Sequence, residues 1–206
     1  MATEILKKRF TTGDFHLMVQ AGIVAEHDRV ELIEGEIIQM SPVGHRHWVR
    51  VNRLNNLFVR AFGERAVISC QSSVELSEWS EPQPDIAVFK PRSDFYAGKN
   101  PTPADVLLVI EVADSSLRYD REIKIPLYAR AGIPEYWIED AKRDVLHVHR
   151  APAGETYATS FELQRNDAIA LLAFPDIPFL IDHLLGEPIP DENQPCESDG
   201  YCLPPL

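Results

Sequence analysis

Pro84-Asp85 opens one apolar stretch, Glu111 closes the next, and Lys124 follows in the segment after that. Two carboxylates at the ends of neighbouring strands offer the hard oxygen ligands that Mg2+ or Mn2+ prefers. An amine within reach could orient a water molecule or hold negative charge developing on a phosphate. The trio therefore suits metal-assisted hydrolysis of a phosphodiester, where the ion serves the attacking water, the phosphate and the leaving oxygen. Glu111 is the most informative of the three, because an acid inside an apolar strand is costly without a partner. Asp after Pro is common in turns and a helix lysine is usually solvated, so Asp85 and Lys124 gain weight only beside Glu111.

The elements that must position these residues show in the hydrophobic periods. Residues 106–112 are apolar on both faces, the pattern of a central strand covered by helices on both sides. Residues 85–89 form a shorter strand after a proline-rich turn, and antiparallel pairing of the two would bring positions 85 and 111 together. Asp114 with Ser115 or Ser116 can cap a helix over 119–131 that ends at Gly132. Pro126 should kink this helix unless its regular part begins only near Glu122. Upstream, 12–22 reads as a short helix and 46–61 as a longer one with Val51, Leu54, Phe58 and Ala61 buried. Between them, 30–40 reads as a hairpin turning at Glu34-Gly35. That turn places Glu31, Ile33, Glu36 and Ile38 on one face, with Glu31 among apolar neighbours. Residues 66–76 alternate as one strand, with Cys70 as a small core residue and Gln71 on the opposite side. Strands over 135–139, 145–150, 156–164 and 168–173 and a closing helix over 179–184 complete the chain. The expected fold is one α/β domain with a mixed central sheet flanked by helices.

Charge sets limits. The net charge is −12, and residues 187–206 supply five of those acids with five prolines and no Lys or Arg. We expect a domain over 1–186 and a disordered acidic tail over 187–206. An acidic surface opposes non-specific attraction to nucleic acid, so contact with DNA needs a local basic patch. Arg46, Arg50, Arg53 and Arg60 recur at helical spacing and are the candidate ridge. Cys70, Cys196 and Cys202 have neither disulfide nor zinc spacing. His45 with His47, and His147 with His149, lack an evident third ligand, and the second pair reads as an exposed strand edge. No apolar run is long enough to span a bilayer and the N-terminus lacks a signal-peptide layout, so a cytoplasmic protein is expected.

Five strings carry a resemblance: 31–38 (ELIEGEII), 84–88 (PDIAV), 110–116 (IEVADSS), 119–124 (YDREIK) and 131–138 (AGIPEYWI). In this order and spacing they resemble the Uma-type family of restriction endonucleases, within the PD-(D/E)XK nuclease superfamily, over about residues 10–174. The resemblance implies a restriction-endonuclease-like fold, with Asp85 and Glu111 as metal-binding acids and Mg2+ or Mn2+ as the cofactor. It adds Glu31 as a further acid from the hairpin and Gln71 as a polar neighbour. The usual motif has its lysine two residues after the second acid, where this chain has Ala113. The resemblance therefore implies a migrated lysine, Lys124. The expected activity is metal-dependent endonucleolytic cleavage of DNA, with a homodimer serving two strands. The alternative, motivated by Ala113 and the acidic charge, is a nuclease-like module that binds or assembles without cutting.

Overall fold

The structure, a computed structural model, describes residues 7–25 and 27–188. Cys196, Cys202 and all but the first two residues of the acidic tail lie outside the described residues. The centre is a six-stranded mixed sheet in the order β3-β4-β5-β6-β7-β8. Its strands are β3 (Val67–Cys70), β4 (Ile86–Phe89), β5 (Val106–Ala113), β6 (Glu135–Asp140), β7 (Val145–Ala153) and β8 (Thr156–Leu163). β5 and β6 are parallel and every other pairing is antiparallel. A parallel pair needs a crossover, and residues 114–134 supply it on one face of the sheet.

That face is built from the crossover helix α4 (Ile125–Arg130), whose Leu127 and Tyr128 pack on Val109, Ala113, Tyr136 and Ile138. The opposite face carries α2 (His45–Phe62) and α5 (Ile181–Leu185), with Phe58, Phe62, Phe174 and Phe179 stacked edge to face and in parallel over the strands. Apolar residues on both sides of β5 thus meet a helix layer each, as its pattern requires.

The hairpin of β1 (Val30–Ile33) and β2 (Glu36–Gln39) turns at Glu34-Gly35 in the expected register. Both of its faces are used. Leu32 and Val30 pack with Phe15 of α1 (Thr12–Gln20), whose start is a capping box of Thr11 and Asp14. Ile33, on the other face, joins the α4 side of the core. Gly35 has φ +79°, and a Cβ there would lie 2.6 Å from Arg9, so the turn needs glycine.

Four expectations differ. The strand over 66–76 stops at Cys70, because Gln71 takes a left-handed conformation (φ +50°) and its N–H bonds to the carbonyls of Pro84 and Asp85. The chain then crosses over, so Ile68 packs on the α2 side while Val74 and Leu76 pack on the α4 side. Cys70, at the end of an edge strand, is exposed rather than in the core. The helix over 119–131 is one continuous helical run whose middle is wider: α3 (Leu117–Tyr119), a π-helical turn at Asp120–Lys124 and α4. Pro126 falls in the first turn of α4, directly after the π-helical turn. Finally, β7 is interior, so His147 is buried against Glu162 and Arg121 instead of lying on an exposed edge. No helix among the described residues is long and apolar enough to cross a membrane.

Candidate active site

Strand ends define the site. In the β4–β5 pairing Ile86 lies opposite Ile110, which puts Asp85 across from Glu111 one step further on. The Asp85 N–H donates to Glu111 Oε2 (3.2 Å), and Asp85 Oδ2 accepts from the N–H of Val112 (2.9 Å). Glu111 and Ala113 share the α4 face of β5 by two-residue alternation, so a lysine at 113 would have pointed at the same space. Ala113 is buried under α4, and the amine arrives instead from the crossover. Lys124 Nζ lies 2.6 Å from Glu31 Oε2 and 3.3 Å from Glu111 Oε1, with only 3% of its side chain exposed.

The π-helical turn explains how one short segment delivers several groups. Widening the turn keeps Tyr119, Lys124 and Tyr128 all directed at the strand ends, and such turns recur at functional sites. Tyr119 donates its hydroxyl to Glu31 Oε1 (3.1 Å) and Tyr128 to Glu111 Oε1 (2.9 Å). Both rings stand about Lys124, with Nζ 5.8 and 5.9 Å from their centroids. Glu31 is further fixed by the N–H of Gln83 (3.3 Å), in the same 71–85 segment that docks the hairpin on the sheet. Asp120, also buried, accepts from Ser116 Oγ (2.6 Å).

A cleft of about 340 Å3 opens over these groups, lined by Glu31, Asp85, Glu111, Asp120 and Lys124 among others. Four acids and one ammonium in a low-dielectric setting do not balance. Burial pushes the Glu111 carboxyl up to about 8, the pull of Lys124 opposes this, and Asp85, Asp120 and Glu31 push the same way as burial. Burial likewise raises Asp120 to about 6 against the Ser116 hydrogen bond and Lys124. Lys124 would be lowered by burial, but Glu111 and Glu31 more than offset that and keep it charged.

All the residues anticipated for the site meet here. Glu31, Asp85, Glu111 and Lys124 form one bonded cluster, and Gln71 Nε2 donates to Asp85 Oδ1 (3.3 Å). The arginine ridge does not form. Arg50 is 1% exposed and lies between Glu139 (2.5 Å) and Asp144 (2.6 Å), Arg46 sits 3.7 Å from Asp114, and Arg53 is half-buried. Only Arg60 of the four is exposed. Helical spacing could not reveal this, since acids far along the chain turn Arg50 inward.

His47, Tyr119, Asp120 and Tyr128 were not anticipated as site residues. Tyr119 and Asp120 open the 119–124 string already singled out, and the four-residue spacing of Lys124 and Tyr128 was the available signal. His47 was weighed only as half of a pair with His45, because its partner Asp85 lies on the sheet and α2 packs on the other side of it. Its Nε2 lies 2.9 Å from Asp85 Oδ2. Burial alone would lower the imidazole, but the hydrogen bond and charge of Asp85 raise it above its usual range.

The fit of a divalent cation can be judged from the donors. Carboxylate oxygens predominate, four acids face one ammonium, and burial together with the neighbouring acids raises the Glu111 carboxyl to about 8 against the pull of Lys124. Among the described residues no three His, Cys, Asp or Glu side chains surround a common point, since Lys124 stands between Glu31 and Glu111. The residues fit a hard cation beside Asp85 and Glu111 in donor chemistry and charge.

A mixed sheet with helices on both faces and an acid-and-lysine cluster at the strand ends define a nuclease-like α/β fold. The chain belongs to the Uma2 family, described as "Putative restriction endonuclease", whose model matches residues 14–181. A solved protein from Anabaena variabilis ATCC 29413, described as a "putative nuclease belonging to DUF820", superposes with a TM-score of 0.67 at 17% identity, covering 85% of this chain and 97% of its own. A search of curated proteins gives no match.

Proposed function

We propose that this chain is a metal-dependent nuclease that hydrolyses phosphodiester bonds in DNA, with residues 1–186 as its working domain. The observation that carries this reading is Lys124 Nζ, buried between Glu31 and Glu111 from a crossover rather than from the usual strand position. Asp85 and Glu111 would hold Mg2+ or Mn2+, with Glu31 alongside. The ion would supply a more acidic bound water and charge neutralisation at the phosphate. Lys124 keeps a fixed positive charge where an extra phosphate oxygen charge would develop. Gln71 and the N–H of Val112 fix the Asp85 carboxylate, and Tyr128 fixes that of Glu111. With the arginine ridge absent, DNA would be held by the cleft itself and be sensitive to salt. A cytoplasmic homodimer is the assembly we attach to this reading.

The test is cleavage of plasmid and linear DNA by purified protein in Mg2+ or Mn2+. Asp85→Asn and Glu111→Gln should each lower the rate by about a hundredfold or more while circular dichroism stays native. Inert wild type in both ions, or a Glu111→Gln protein that still cuts, overturns the reading. One observation favours a non-cutting module: the Glu31 and Glu111 oxygens are already engaged by Lys124, Tyr119 and Tyr128. Titration calorimetry with Mn2+ separates the two, because a purely structural cluster takes up no ion.

A further inference from the structure

We propose that His47 is itself a ligand of the cation, so that the site has a mixed nitrogen and oxygen donor set and favours Mn2+ and Co2+ over Mg2+. The inference rests on the metal-site reading above and extends it to one further residue and to ion choice.

Three observations carry it. First, the one hydrogen-bond partner of His47 among the described residues is a cleft acid: Nε2 lies 2.9 Å from Asp85 Oδ2, while Nδ1 is buried with no partner there. The ring's hydrogen bonding is thus directed to the cleft and not to the surrounding fold. Second, the two groups are close enough to share an ion: at 2.9 Å, a hydrogen-bond separation, Nε2 and Oδ2 could both turn to one cation with little movement of either side chain. An ion entering there takes the place of the shared proton, which leaves to solvent. Third, Asp85 does not depend on His47 for its orientation, since Gln71 Nε2 and the N–H of Val112 also bind its carboxylate. The imidazole can therefore turn its lone pair to an ion without releasing the acid.

Ion choice follows from donor type. An all-oxygen site suits Mg2+, whereas one imidazole raises affinity for first-row transition ions along the Irving–Williams order. His47 enters from α2, at the strand ends, as a neutral nitrogen donor in a cleft whose anionic donors are carboxylates.

The experiment is calorimetric titration of the full chain with MgCl2, MnCl2 and CoCl2, for wild type, His47→Ala, His47→Asp and Asp85→Asn, together with pulsed EPR of bound Mn2+. His47→Ala should weaken Co2+ and Mn2+ by ~10–100-fold and leave Mg2+ within about threefold. His47→Asp should hold or strengthen Mg2+ binding and keep Co2+ weak. Bound Mn2+ should show coupling to a directly ligated 14N in wild type, and none in His47→Ala. Equal losses for all three ions, or wild-type Mn2+ without that coupling, would mean that His47 only orients Asp85 and would overturn the proposal while leaving the metal reading intact. Wild type that binds none of the ions overturns both. Ions that bind wild type and Asp85→Asn alike occupy some other place, and that too overturns the ligand role.

Discussion

Two charge clusters, each with a buried centre, lie on opposite faces of the central sheet, and they are balanced differently. On the α2 face, Arg50 bonds Glu139 and Asp144, and Arg165 bonds Asp144 (2.9 Å), Asp182 (3.4 Å) and the Gly186 carbonyl (2.7 Å). Two guanidinium groups there face three carboxylates and tie α2, β6, the turn before β7 and α5 together. On the α4 face, the carboxylates of Glu31, Asp85, Glu111 and Asp120 share one ammonium and an imidazole around an open cleft. In the first arrangement every carboxylate is hydrogen-bonded to a guanidinium, with one acid in excess. The second stores an excess of negative charge that packing does not require, and that excess marks the face where a cation would act.

The comparison breaks most visibly through Arg50. Arg50→Met leaves Glu139 buried without its cation, and losing one partner of such a pair costs about 3–5 kcal/mol. The urea midpoint should fall steeply while any DNA cleavage by the folded fraction persists. A loss under about 1 kcal/mol, within the range of surface pairs, would show that the two clusters do not differ in the supposed way.

Glu111→Gln should do the reverse. Removing one of four crowded acids relieves repulsion, so the urea midpoint stays or rises while cleavage is lost. The pH dependence sharpens this. The Glu111 carboxyl titrates near 4.5 when unfolded and is raised to about 8 in the fold, so between those values the native state binds more protons than the unfolded one. Its contribution is fully present below pH 4.5 and is lost as pH rises towards 8. Glu139 behaves likewise up to about 7, where burial outweighs the pull of Arg50. Metal-free wild type should therefore lose stability from pH 4.5 to 8, by at most about 1.4 kcal/mol per pH unit for each group. Above pH 7 the contribution of Glu139 fades while that of Glu111 continues, so Glu111→Gln should flatten the pH 7 to 8 window more than Glu139→Gln does. Unfolding midpoints against pH decide it.

Particular residues show what the sequence made legible. The apolar run around Glu111 revealed both a central strand and an acid that needed a partner, because a doubly buried strand has no solvated face to hide a charge. The hairpin register followed from Glu34-Gly35, which allows few other turns. Gln71 was harder: alternation continued through 66–76, and nothing local announced the left-handed residue that breaks it. Arg50 and His47 were misjudged or missed for one reason. Each lies on α2 with partners at 139, 144 and 85, and helical period reports which residues share a face but not what the opposing surface offers.

The smallest effect belongs to the outside of the same crossover that buries Lys124. Arg118 donates Nε to both oxygens of Glu122 (3.0 Å each) one turn along, with 87% and 58% of these side chains exposed. That hydrogen bond raises the Arg118 guanidinium further above its usual range, but water and salt screen the pair. Arg118→Ala should leave the urea midpoint and cleavage unchanged within error. Because Arg118 and Lys124 belong to one continuous helical segment, the pair of variants isolates burial as the variable. If Arg118→Ala were to reduce cleavage as Lys124→Gln should, the crossover would act through its shape as a whole, and the contrast between an open acid cluster and a solvated pair would lose its force.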